Sequence, residues 1–305
     1  MPGSKKRIAM LALTVALTAS AHAAGDMNWA PSLQTYMQEH WRTMPERDQQ
    51  WRRPDPENIV YLQLDSGTVV IELLPELAPD HVRNVKALVR GRYFDSMAIA
   101  RVQENYVVQW NAPSPVAIPP QAAFFLQPEF SYRGKLAGDF QTLALHDGFA
   151  AEVGLLKSFP AARSRRHDET WLAHCYGAVG AGRDDDAGSG GGREWYVVTG
   201  HAPRHLDKNV TLFAHVLQGT GLLATLPRGK AAQGFYLPEQ TAPMIRRMVM
   251  EADLPASQRT SLEVLDSRSR AYLQLWKNWQ QLALPHQTAY TDLCQFPVIV
   301  RPAAR

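Results

Sequence analysis

Four residues of this 305-residue chain, His174, Cys175, His201 and His205, have the types most able to do chemistry. Imidazole and thiolate together make the donor set of a tetrahedral zinc site. The spacing argues against one. Pro203 lies between His201 and His205, so the two do not share a helical face, and scattered histidines more commonly make local hydrogen bonds. Cys175 has one possible disulfide partner, Cys294, the only other cysteine. If the chain is exported, the two can bridge and close a long loop worth about 4–5 kcal/mol; otherwise they are two buried thiols. Spatial geometry decides between these states. There is no Gly-x-Ser-x-Gly elbow and no evident acid–base pair of carboxylates. The run Gly188–Gly192 is no phosphate cradle, because Arg193-Glu194-Trp195 leads into a strand and not into a Lys-Ser/Thr helix start. With Asp184, Asp185 and Asp186 ahead of it, it reads as a flexible acidic loop.

The elements that must position any site begin after an address. Residues 1–23 read as a secretory signal: Lys5-Lys6-Arg7, an apolar run from Ile8 to Leu17, then Ala21-His22-Ala23 before the cut. This predicts a periplasmic protein starting at Ala24. The apolar run is too short for a comfortable membrane span, and no later stretch is long enough, so no stable membrane insertion is expected after cleavage. Without Lys5, Lys6 and Arg7, the 32 basic residues fall to the number of acidic ones, 29. Nothing in that balance argues for nucleic acid. At 45% hydrophobic and 20% charged residues, the chain is not a disordered one.

Residues 24–56 read as an N-terminal arm with one short helix carrying Tyr36, Met37, His40 and Trp41. Ile59–Leu64 and Thr68–Leu74 form a hairpin about Asp65-Ser66-Gly67. Pro79-Asp80 opens a helix with the stripe Val82, Val85, Leu88 and Val89, stopped at Gly91. Short strands follow at Ala98–Val102 and Tyr106–Trp110. Prolines through residues 112–173 preclude long elements, and Arg163–His167 reads as a solvated basic loop. Strands resume at Trp195–Val198 and Val210–Val216, then a short helix over Gly219–Leu226. Helical spacing of Met244, Ile245, Met248 and Val249, and again of Tyr272, Leu275, Trp276 and Trp279, predicts a helical extension over 236–305. Phe296–Val300 is strand-like.

One ordered set of short matches stands out. It runs Ala78-Pro79-Asp80-His81-Val82-Arg83-Asn84, Gly91-Arg92-Tyr93-Phe94-Asp95, Ile99-Ala100-Arg101-Val102 and Tyr106-Val107-Val108-Gln109. Glu194-Trp195-Tyr196-Val197, Leu206-Asp207 and Thr211–Val216 continue it. The set resembles the cyclophilin-type peptidyl-prolyl cis-trans isomerases over roughly residues 57–235. The resemblance implies a mainly β fold, a closed antiparallel β-barrel capped by two helices, with the arms at both ends added and the C-terminal one packed on the barrel through Trp276 and Trp279. It implies rotation of X–Pro bonds in proline-containing segments of exported proteins, with no cofactor.

By the same resemblance Arg101 is the catalytic arginine and Gln109 the glutamine that orients it. Tyr106, Val107, Tyr196 and Leu206 line the proline pocket, and Glu194 and His205 bind substrate. The chemistry fits. An X–Pro amide has a rotation barrier of about 18–20 kcal/mol. A fixed cationic donor at the prolyl nitrogen localises its lone pair and favours the twisted amide. Arginine stays charged and presents a rigid fork. Departures from the family pattern are Ile99-Ala100 for Phe-His, Trp110-Asn111 for Gly-Gly, Glu194 for glutamine and Val210 for a pocket histidine. These favour a second expectation, a weakly catalytic proline-segment binder or chaperone on the same barrel. A third makes residues 236–305 a docking arm, which requires exposed Trp276 and Trp279.

Overall fold

The computed structural model describes residues 33–41, 50–111, 117–134, 136, 140–166, 168–281 and 291–303. The expected signal segment and much of the N-terminal arm lie outside the described residues. In chain order the strands are β1 (Trp51–Arg52), β2 (Ile59–Leu64), β3 (Gly67–Leu73), β4 (Ile99–Val102), β5 (Val107–Trp110), β6 (Tyr132–Arg133), β7 (Phe140–Leu143) and β8 (Glu152–Leu156). There follow β9 (Phe159–Arg163), β10 (Glu169–Leu172), β11 (Ala178–Ala181), β12 (Trp195–Val198), β13 (Leu212–Gln218), β14 (Arg247–Met250), β15 (Leu262–Leu265) and β16 (Val300–Pro302). The α-helices are α1 (Leu33–His40), α2 (Pro79–Arg90), α3 (Thr220–Ala224) and α4 (Arg270–Gln280).

Eight strands curl into one antiparallel sheet in the order β14-β2-β3-β13-β11-β12-β5-β4. Its inner face carries the main core, including Val60, Leu62, Ile71, Trp110, Trp195 and Phe213. Helix α2 closes one side of that core with Val82, Val85, Leu88 and Val89, and α3 adds Leu223. Pro79 in the first turn, Asp80 at the positive end and Arg90 in the last turn suit the dipole of α2. The mainly β architecture and the two capping helices are as expected.

The closed barrel is not. The sheet is a half-barrel whose edges, β14 and β4, meet among the described residues only through an isolated bridge between Ala98 and Met244. The physical reason is at β4. Its free edge is already taken by residues 229–236: Gly229 N–H donates to Val102 O at 3.2 Å, Tyr236 N–H to Ala100 O at 3.4 Å, and Arg101 bridges Phe235. A ladder to β14 has no room there.

The predicted helix over Met244–Val249 is also corrected. Arg247–Met250 is an edge strand paired with β2, with Met248 against Leu62 and Met250 against Val60. Methionine is unbranched and adapts to either geometry, so its spacing misleads. The part of the chain after 236 therefore completes the main sheet before it adds α4 and a small β1-β15-β16 sheet.

Residues 112–173, unread in the sequence, supply a second sheet in the order β6-β10-β9-β8-β7. It lies on the outer face of the half-barrel. Leu156, Phe159, Ala161 and Leu172 share a cluster there with Ile59, Tyr61, Val107, Tyr196 and Val198. Both faces of β2 are thus covered, which accounts for a run with no polar alternation, Ile59-Val60-Tyr61-Leu62. Helix α4 packs against α1 and this second layer, not on the barrel: Tyr272, Leu275 and Trp279 join Leu33, Met37, Val153, Leu155 and Trp171. Trp279 is buried and Trp276 half-buried, so the docking-arm expectation loses its exposed indoles. Cys175 and Cys294 form a disulfide across 119 positions, stapling the C-terminal layer to the start of β11. The acidic, glycine-rich loop is pinned and not free. Asn84 donates its amide to Gly191 O at 2.6 Å, Trp195 Nε1 donates to Gly192 O at 2.8 Å, and Asp186 caps the turn Ala187–Ser189.

Candidate active site

A bulge creates the site. Along β4, Ile99 pairs with Trp110 and both face the inner core, so regular alternation would send Arg101 inward too. The register slips between Ile99 and Arg101 and leaves Ala100 extra. Arg101 then pairs with Gln109 and faces outward with it. Gln109 pairs with Tyr196, and Tyr196 with Gly180. Arg101, Gln109, Tyr196 and Gly180 therefore form a row across four neighbouring strands, each step about 4.8 Å. A side chain at Gly180 would collide with the Tyr196 ring, since an added Cβ falls 2.3 Å from its hydroxyl oxygen.

The guanidinium of Arg101 is held by neutral groups. Nε donates to Gln233 O at 2.6 Å, Nη1 to Gln109 Oε1 at 3.2 Å, and Nη2 to Gln103 Oε1. It lies 5.4 Å from the centroid of Tyr106 and 5.5 Å from that of Phe235. Among the described residues it makes no ion pair with a carboxylate. Three of its five N–H groups are so used, which leaves two for a ligand. Burial draws Arg101 somewhat below the usual arginine range, opposed by the charges of Tyr106 and Glu194; it remains a cation. The loop that supplies Gln233 depends on Gly234, whose φ of +79° and 2.6 Å approach to the Gln103 backbone exclude a side chain.

Gln109 passes the link on, donating its amide to Glu194 Oε1. Burial raises the Glu194 carboxyl above its ordinary value, against the lowering effect of that hydrogen bond. Of the apolar candidates, Tyr106, Val107 and Tyr196 come together in one cluster, with Val210 at its rim. Val107 is 3% exposed and Tyr196 6%, because the second sheet closes over that face. Leu206 is half-buried and outside the cluster; His205 is exposed on the turn Arg204–Leu206.

The four possible zinc donors do not converge. Cys175 is oxidised, His174 is buried among other partners, and no metal-sized group of His, Cys, Asp or Glu occurs among the described residues.

Sequence reasoning missed Gln103, Gln233 and Phe235, which hold Arg101, and His174, which holds Tyr196. The tyrosine hydroxyl donates to His174 Nε2 at 2.8 Å, and Nδ1 donates to Asp207 Oδ1 at 2.8 Å. Burial keeps His174 below the usual histidine value and Tyr196 well above the usual tyrosine value. The motif matches gave a signal for Arg101 and for Tyr196, but nothing in the sequence links 174 to 196.

The chain is thus a curled antiparallel β-protein with an outward arginine set beside an apolar wall. Comparison with known proteins narrows that class. The profile described as "Cyclophilin type peptidyl-prolyl cis-trans isomerase/CLD" matches residues 59–249, and the chain belongs to that family. A probable peptidyl-prolyl cis-trans isomerase of Brucella suis biovar 1 (strain 1330) is 46% identical over 55 residues, 18% of this chain and 28% of the relative. Its counterpart in Brucella abortus (strain 2308) is 44% identical over the same length. The chain thus spans little more than a quarter of the curated relatives it matches. Among solved structures, cyclophilin AquaCyp293 from Hirschia baltica aligns with a TM-score of 0.66 at 22% identity, covering 84% of this chain and 95% of that one. That likeness is one of fold.

Proposed function

We propose that the protein is a peptidyl-prolyl cis-trans isomerase of the bacterial envelope that rotates X–Pro bonds in exported polypeptides and so assists their folding. The observation that carries this reading is the state of Arg101: a cation aimed outward beside Tyr106, fixed by amide and carbonyl oxygens and not neutralised by a carboxylate. A donor so placed can meet the prolyl nitrogen as the amide twists, and it needs no reorganisation to do so. Gln109 fixes the Arg101 fork, and Tyr106 offers a half-buried ring for the pyrrolidine. Export is supported by the N-terminal pattern and by the Cys175–Cys294 disulfide, a bond that persists in oxidising compartments.

The test is an isomerase assay on protein purified from the periplasmic fraction of an expressing bacterium, with N-terminal sequencing to ask whether Ala24 comes first. Arg101→Ala is expected to lower kcat/KM on an Ala–Pro peptide roughly 100-fold or more, the usual cost of losing a transition-state donor. Equal rates for the two proteins would overturn the assignment.

A second reading, a proline-segment binder with little turnover, is favoured by one observation. Val107 and Tyr196, the expected floor of the pocket, are almost wholly covered. Peptide binding by both wild type and Arg101→Ala, with isomerisation by neither, would select it.

A further inference from the structure

We propose that His174 is a positioning residue for the proline-binding wall, tying Tyr196 to the inserted sheet through a buried relay. The inference rests on the isomerase reading above and adds to it a control point away from the Arg101 cluster.

The relay is continuous. Asp147, in the connection between β7 and β8, accepts from Arg204 Nη1 at 2.9 Å and from Nη2 at 3.1 Å. Arg204 Nε donates to Asp207 Oδ2 at 2.6 Å. The other oxygen of Asp207 accepts from the backbone N–H of His174 at 2.9 Å and from its Nδ1 at 2.8 Å. Nε2 of His174 then accepts from the Tyr196 hydroxyl. Side-chain exposure is 0% at His174 and 3–5% at Arg204, Asp147 and Asp207.

The direction of each bond is fixed by chemistry. Asp207 is an acceptor, so Nδ1 carries the proton. The neutral ring then leaves a lone pair on Nε2, and the tyrosine must donate. The two rings lie nearly parallel, 9° apart, consistent with a ring held on both sides. Tyr196 therefore has two restraints, the bare backbone of Gly180 beneath it and His174 at its tip. Phenylalanine in its place would keep the first and lose the second.

Tyr196 is almost wholly covered, so it acts from behind, in the cluster against which the half-buried Tyr106 packs; a wall so backed contacts ground state and transition state alike. Loosening it raises KM and leaves kcat nearly unchanged. His174→Leu is expected to raise KM on a proline peptide about fivefold, with kcat changed less than twofold. His174→Gln can accept from the tyrosine and donate to Asp207, and it should restore most of the loss. Tyr196→Phe should raise KM as His174→Leu does, and the double variant should be no worse than either single one, because both cut the same bond.

Additive penalties in the double variant, or an unchanged KM in Tyr196→Phe, would overturn the proposal. Tyr196→Phe removes one hydroxyl only, so it decides the matter even if His174→Leu does not fold. If the wild type shows no isomerisation, the activity reading fails separately. The wild type and its four variants are then ranked by the Kd of the same peptide in an NMR titration, with the same pattern expected.

Discussion

Two arginines on the outer face live by opposite rules. Arg204 is 3% exposed and sits between two carboxylates, Asp147 and Asp207. Burial alone would lower its pKa, but those hydrogen bonds and charges outweigh it. Arg101 is half-buried, and its described hydrogen-bond partners are amide and carbonyl oxygens. On the isomerase reading, the difference is that between a cation kept for structure and one kept for work. A cation that fixes architecture must be neutralised, since a lone buried charge is too costly. A cation meant for a ligand must be immobilised without neutralisation, and neutral acceptors do that.

The largest expected effect breaks the comparison at its structural end. Arg204→Ala should destabilise the protein by about 3–5 kcal/mol, because it strands two buried carboxylates. Arg101→Ala, whatever it does to turnover, should shift stability by less than about 1 kcal/mol. Urea melts of the two variants check both; similar losses would erase the distinction.

His215 sharpens the contrast from a third position, burial without a counter-charge. Its Nδ1 donates to Val216 O at 2.9 Å, its Nε2 is buried with no partner, and its ring stacks on Phe159 at 4.7 Å. Burial lowers its pKa to about 4. The unfolded chain then binds the proton more readily, so stability falls as pH drops from about 6.5 to about 4, by roughly 3 kcal/mol in all. Stability curves at pH 7 and pH 4 should lose that portion of their difference in His215→Leu. An unchanged slope would mean that the imidazole is not held neutral.

The smallest effect belongs to Glu194, whose carboxylate accepts from Gln109 beside Arg101. Its raised pKa means that protonation, as pH falls through the folded-state value, relieves a desolvated charge and adds stability. Wild-type kcat/KM is expected to rise toward acid pH as Glu194 is neutralised; Glu194→Gln should mimic that relief at pH 7, raise kcat/KM a few-fold, about 1 kcal/mol of barrier, and flatten the rise. A drop in kcat/KM would show that the negative charge helps.

Much of the main sheet was legible because its strands are short runs of branched and aromatic residues broken by turn residues, as at Asp65–Gly67. The α2 stripe was legible from its period. The second sheet was not, because prolines in 112–173 exclude long elements but permit strands of four or five residues; Pro160 lies inside β9. Arg101 and Gln109 were found through motif resemblance, while the bulge that turns Arg101 outward depends on a register slip that no pattern announces. His174 looked like a stray histidine beside a cysteine. Its partners at 147, 196, 204 and 207 meet only through tertiary folding.

The placement of β14 has a practical consequence for anyone who trims this chain. Ending it at residue 235 would strip the outermost strand from β2 and bare a row of unsatisfied amides along Ile59–Leu64. Such an edge, apolar and unpaired, invites pairing between copies. The shortened product would resemble the catalytic portion on paper and behave in the tube as a seed for self-association.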